Sequence, residues 1–127
     1  MKRFLLIDDD DIICIVHPAI IRQALPDSEV EIIKSSQEAL TFIHEMKENN
    51  YPAPDAIFLD INMPELSGFG MLEKLDTSDK IYLENTKIYM LSSSVDERDI
   101  ERVKANPIIA DFIGKPLTIE FLKQNFS

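Results

Sequence analysis

The sequence predicts an α/β fold, a parallel five-stranded sheet with helices on both faces. Short apolar runs alternate along the chain with longer segments of helical spacing, the pattern of a strand–helix repeat. Three of the runs are nearly continuous in apolar residues, as strands covered on both faces are. The length of 127 residues falls in the range of one domain and is enough to bury a sizeable core.

The expected strands are Phe4 to Ile7, Val30 to Ile33, Ala56 to Leu59, Ile88 to Leu91, and Ile108 to Ile113, the last broken by Ala110 and Asp111. Between them, Ile12 to Leu25 reads as a helix that Pro18 kinks or makes irregular. Ser35 and Glu38 have the spacing of a capping box ahead of Leu40, Ile43 and Met46. Ser94 and Glu97 repeat that spacing ahead of Ile100 and Val103, and Asn106-Pro107 stops the helix. Thr118 caps a last helix carrying Phe121, Leu122 and Phe126. The stretch from Leu66 to Asn85 predicts a short helix around Met71 to Leu75 followed by a polar, irregular segment. Pro52 and Pro54 sit in a connection, and no repeat or low-complexity tract divides the chain.

Composition narrows the function classes. Thirteen basic against 23 acidic residues give a net charge of -10, which repels the phosphate backbone and argues against nucleic-acid binding. No apolar run reaches the roughly 20 residues of a membrane span. The apolar start, Phe4 to Ile7, runs straight into four aspartates and reads as a strand, not a signal peptide. The expected location is therefore the cytoplasm. Cys14 has no second cysteine to pair with and, between Ile13 and Ile15, reads as a small buried hydrophobe.

Right-handed crossovers bring the carboxyl ends of all the strands to one edge of such a sheet, where ligands bind. That edge collects Asp8 to Asp11 after the first strand, Asp60-Ile61-Asn62 after the third, Ser92-Ser93-Ser94 after the fourth and Lys115-Pro116 after the fifth. Crowded carboxylates repel, and a divalent cation relieves the cost. Hard oxygen ligands without histidine or thiolate suit magnesium better than zinc. An aspartate can accept a phosphoryl group covalently, and a phosphoryl transfer asks the protein mainly for positioning and charge neutralisation. Asp60 is the candidate nucleophile, with Lys115 and magnesium neutralising the phosphoryl oxygens and Ser92 donating to one of them.

The set Asp8-Asp9, Asp60-Ile61-Asn62-Met63-Pro64, Ser92 and Lys115-Pro116 resembles the receiver domain of two-component response regulators, in the family's order and from Phe4 to Phe126. The resemblance implies a flavodoxin-like fold with strand order 2-1-3-4-5 and five helices. It implies Asp60 as acceptor of a phosphoryl group from a sensor histidine kinase or phosphotransfer protein, followed by slow hydrolysis, which is signalling and not ordinary turnover. It further implies magnesium held by Asp9 and Asp60, by Asp8 largely through water, and by the backbone carbonyl of Asn62. Ser92 and Phe112 occupy the two switch positions, Phe112 without the phenol oxygen often found there. Lys115 matches the family's lysine, and its bond to Pro116 is often cis in the family. Ser93 matches a small-residue position, and Gly68 a loop glycine where positive φ is easy. Residues 1–127 read as one receiver domain without an output domain, acting through an unidentified protein target, commonly by the face of the fourth helix, fifth strand and fifth helix.

Competing readings are specific. Asp10 and Asp11 fit helix capping better than metal ligation. Ser94 reads as a cap, and His17 and His44, lacking companion ligands, read as surface or packing residues. Asp8-Asp9-Asp10 is similar to the Asp-x-Asp of haloacid-dehalogenase-type phosphatases, which would make Asp8 the nucleophile. The hydroxyl or valine expected soon after is absent, since Ile12 and Ile13 follow. A flavin carrier of similar fold lacks support, because four aspartates would repel a cofactor phosphate where a hydroxyl- or glycine-rich cradle is needed.

Overall fold

All five apolar runs become strands in the computed structural model, which describes residues 1–127. They are β1 (Arg3–Ile7), β2 (Glu29–Ile33), β3 (Ala56–Asp60), β4 (Lys87–Ser92) and β5 (Ile109–Gly114), all parallel, in the order β2-β1-β3-β4-β5. The helices are α1 (Ile13–Ala24), α2 (Ser36–Glu48), α3 (Gly68–Glu73), α4 (Thr77–Tyr82), α5 (Glu97–Ala105) and α6 (Ile119–Phe126). The topology is the expected flavodoxin-like one, with six helices in place of five.

The two-residue period of the strands sorts the core into two layers. Leu5, Ile7, Ile57, Leu59, Ile88 and Met90 join Ala39 and Ile43 of α2, Phe69 and Met71 of α3 and Val103 of α5. Phe4, Leu6, Phe58, Tyr89 and Leu91 join Ile21 of α1 and Leu122 and Phe126 of α6. On that second face Phe4 meets Phe126 edge-on at 5.1 Å and Phe58 stacks on Tyr89 at 5.5 Å. Such aromatic pairs add about 0.5–1.5 kcal/mol each beyond the area they bury.

Departures from the expected elements have local causes. The extra helix α4 replaces the predicted irregular segment: Asp76 caps it, accepting from the Asp79 N–H at 2.8 Å while the Asp79 carboxylate accepts from the Asp76 N–H at 3.1 Å. Ser94 is not the cap of α5. Asp96 is, accepting from the Arg98 N–H at 2.9 Å, and the helix begins at Glu97. Ser35 does cap α2, accepting from the Glu38 N–H at 3.2 Å. Asp10 accepts from the N–H groups of Ile12 and Ile13 and thus caps the chain entering α1, whereas Asp11 turns to Lys34 at 2.7 Å. Helix α1 runs unbroken through buried Pro18, so the expected irregularity does not interrupt it. At the edge strand β5 the register steps from Ile88↔Ile109 to Tyr89↔Asp111, leaving Ala110 as the inserted residue where the apolar run breaks. No helix is long and apolar enough to cross a membrane.

Candidate functional site

Strands β1 and β3 lie side by side with Ile7 opposite Leu59, so Asp8 and Asp60 leave the sheet at one level. Their backbones stay tied to the sheet: the Asp8 N–H donates to the Ile33 carbonyl at 3.1 Å and the Ile61 N–H to that of Leu91 at 2.9 Å. Both carboxylates are buried, at 4% and 5% exposure. Lys115, just past β5, reaches between them, its Nζ 2.7 Å from Asp8 Oδ2 and 3.2 Å from Asp60 Oδ1. Exposed Asp9 completes a trio in which an oxygen of each carboxylate lies within 4.8 Å of the others. Acids from two strand ends and a lysine from a third therefore meet, as the sequence predicts.

Asp60 Oδ1 also accepts the Asn62 N–H at 3.2 Å, while Oδ2 makes no hydrogen bond. Asp8 Oδ1 accepts the Asp10 N–H at 2.9 Å, so both its oxygens are engaged. Ser92 ends β4 one residue beyond the partner of Asp60. It is buried, and its Oγ accepts the Ser94 N–H at 3.2 Å. Ser94 thus serves the Ser92 turn instead of capping. Phe112 pairs with Met90 in the sheet and is half-buried against the core on the α2, α3 and α5 face. The Lys115–Pro116 bond is cis.

Gly68 does not meet the expectation of positive φ. It opens α3. Its requirement is space: a Cβ there would sit 2.4 Å from the Asp60 carbonyl oxygen, and the Gly68 N–H donates to Ile61 at 2.9 Å. The positive φ of this connection, 68°, belongs to Glu65.

Burial pushes the Asp60 carboxyl up to about 6, the Asp8 charge adds to that, and Lys115 opposes it. Burial works against the Lys115 ammonium, yet its contacts with Asp8 and Asp60 hold its pKa above the ordinary lysine value. Two buried carboxylates share one ammonium, and a third carboxylate stands at the mouth. The excess negative charge and the all-oxygen donor set fit a small hard dication.

The sequence profile of the response regulator receiver domain matches residues 4–127. The chain belongs to that family. Its receiver fold is shared with a two-component response regulator from Cytophaga hutchinsonii at a TM-score of 0.89 and 29% identity, covering 98% of this chain and 92% of that one. The chemotaxis response regulator CheY4 of Vibrio cholerae superposes at 0.71 with 25% identity, covering 98% and 94%. A protein-glutamate methylesterase/protein-glutamine glutaminase of Xanthomonas oryzae pv. oryzae is 30% identical over 120 residues, 90% of this chain. The receiver spans 29% of that relative's length. The receiver domain is a signalling module of two-component systems.

Two site features of this receiver escape a reading of its sequence. His17 is buried at 1% exposure, and its Nε2 accepts the N–H of Leu117 at 3.2 Å. Buried Cys14 donates its thiol to the Asp8 carbonyl at 3.3 Å. The sequence marks Cys14 as buried and leaves His17 as a surface or packing residue, because nothing local to His17 marks a partner 100 residues away. His44, by contrast, lies on the surface beside Glu48.

Proposed function

We propose that this receiver takes a phosphoryl group on Asp60 from a sensor histidine kinase or a phosphotransfer protein, and that the modification alters its contacts with a downstream protein. The observation that carries this reading is the Lys115 ammonium bridging Asp8 and Asp60 at 2.7 and 3.2 Å while Asp60 Oδ2 stays uncommitted. Oδ2 attacks phosphorus, a new P–O bond forms to it, and the bond from phosphorus to the donor nitrogen or oxygen breaks with its electron pair leaving on the donor. Lys115 orients Asp60, favours its ionised form and lies where the phosphoryl oxygens gather charge. The Ser92 hydroxyl turns from its Ser94 contact to one of those oxygens, and Phe112 moves inward with it.

Asp9, Asp60 and the Asn62 carbonyl would hold magnesium, with Asp8 acting through water; when bound, the ion supplies positive charge beside the phosphoryl group. Ile12, at the entrance to α1, is 70% exposed and Ile15 on the helix 72%, with Val16 beside them, an apolar stripe that supports a donor surface next to the acids. The output face is α5, β5 and α6. A net charge of -10 speaks for protein and not nucleic-acid partners, and an unpaired Cys14 for the cytoplasm. We assign residues 1–127 to one receiver unit.

The test is incubation with acetyl phosphate, with and without magnesium chloride, followed by peptide mass spectrometry. The expected product is a base- and hydroxylamine-labile phosphoryl group on the Asp60 peptide that needs magnesium and is absent from Asp60→Asn. Label on Asp8 would transfer the case to a phosphatase of the haloacid dehalogenase type.

A further inference from the structure

We propose that His17 is a positioning residue for phosphoryl transfer, holding the Lys115 segment in register with Asp60 from the opposite side of the sheet edge. The inference rests on the phosphoacceptor reading above.

Lys115-Pro116-Leu117 owns only two backbone N–H groups, because proline has none, and both are committed to fixed elements. The Lys115 N–H donates to the Ser92 carbonyl at the end of β4 at 2.9 Å. The Leu117 N–H donates to His17 Nε2 on α1 at 3.2 Å. The lysine is thus pinned upstream by a strand and downstream by one imidazole. Leu117 and His17 are each 1% exposed, so the bond is shielded from solvent. Gly114, on the upstream side, has nothing within 4 Å of where a Cβ would stand, so no side-chain packing steadies the segment there. The imidazole must be neutral to accept, and burial favours that form.

This anchor touches neither a metal-ligating oxygen nor the acceptor carboxylate, so its loss has a distinctive signature. Displacing the base of Lys115 misplaces the ammonium relative to Asp60 and slows transfer, whereas Asp9 and Asp60, carried by β1 and β3, still bind the cation. Misplacement by about 1 Å can lower a rate by around a hundredfold.

The experiment measures the rate of Asp60 phosphorylation by acetyl phosphate at saturating magnesium chloride, with the magnesium Kd measured separately, for wild type, His17→Leu, His17→Gln, Lys115→Ala and the double variant His17→Leu/Lys115→Ala. Expected are a loss of about ten- to a hundredfold in His17→Leu with Kd within about twofold. His17→Gln, which keeps an acceptor oxygen, is expected to recover most of the rate. In the Lys115→Ala background His17→Leu adds less than about twofold, since it acts through that lysine. A wild-type rate in His17→Leu, a Kd weakened in step with the rate, or the same loss in both backgrounds would each overturn the proposal. Should His17→Leu not fold, a through-hydrogen-bond ¹⁵N–¹⁵N coupling between Leu117 and His17 in the wild type decides whether the anchor exists, and His17→Met, which removes the nitrogen acceptor at similar volume, takes its place in the rate comparison with the same expected loss. A wild type that carries no label on Asp60 would defeat the phosphoacceptor reading instead, so the two failures are separable.

Discussion

At the residue scale the site is a conflict of charges that the fold imposes and a cation can resolve. Asp60 sits where burial and the neighbouring Asp8 hold its carboxyl at about 6, well above the ordinary 3.8. Because the folded state binds this proton more tightly than the unfolded chain, the stability it contributes is complete below about pH 4 and is lost as pH rises through about 6. Without metal, Asp60→Asn is therefore expected to be more stable than wild type at about pH 7.5, by roughly 1–3 kcal/mol, with the gap narrowing toward about pH 4.5. Urea unfolding in a chelator measures this, and a wild type at least as stable as the variant at the higher pH would refute the charge assignment. The acids and Lys115 were legible in the sequence because each follows directly on an apolar run. His17 was not, because its role depends on a backbone N–H brought to it only by the packing of α6 against α1.

At the element scale, strands were readable to within a residue or so, β1, β3 and β4 most plainly because burial on both faces writes itself as an apolar run. Short helices were not. Helix α4 spans six residues, exposes Ile81 at 60% and owes its start to a capping box of two aspartates, not the usual serine or threonine with glutamate or glutamine. Likewise the Ser94–Glu97 spacing drew the start of α5 to Ser94, when Asp96 competes better for the N–H groups. The turn from β3 into α3 shows how an element can set a site: Gly68 lets the chain pass against the Asp60 carbonyl. Gly68→Ala is expected to cost about 1–3 kcal/mol by overpacking against backbone. Gly114→Ala, facing open space, should change stability by no more than about 0.5 kcal/mol. Thermal melts of the two side by side check the contrast, and equal effects would contradict it.

At the scale of the whole molecule, the parallel sheet makes one edge the meeting point of Asp8, Asp9, Asp60, Ser92 and Lys115, which lie up to 107 positions apart in the chain. Chain order alone gives that convergence once the crossovers share a hand. What the topology concentrates is negative charge, so a cation that binds there only in the folded state stabilises the fold by mass action. Magnesium chloride is expected to raise the melting temperature logarithmically, worth about 2.7 kcal/mol at a hundred times its Kd. Asp9→Asn and Asp60→Asn should blunt the response; a shift that survives both substitutions would place the ion elsewhere.

The claim on which the rest depends is that Asp60 carries the phosphoryl group. Borohydride reduces an aspartyl phosphate to homoserine where it stands, so trapping after acetyl phosphate and magnesium, followed by peptide sequencing, reads the acceptor directly. The account predicts homoserine in place of Asp60 and aspartate retained at positions 8 and 9. Homoserine at either of those positions, with Asp60 intact, would contradict it.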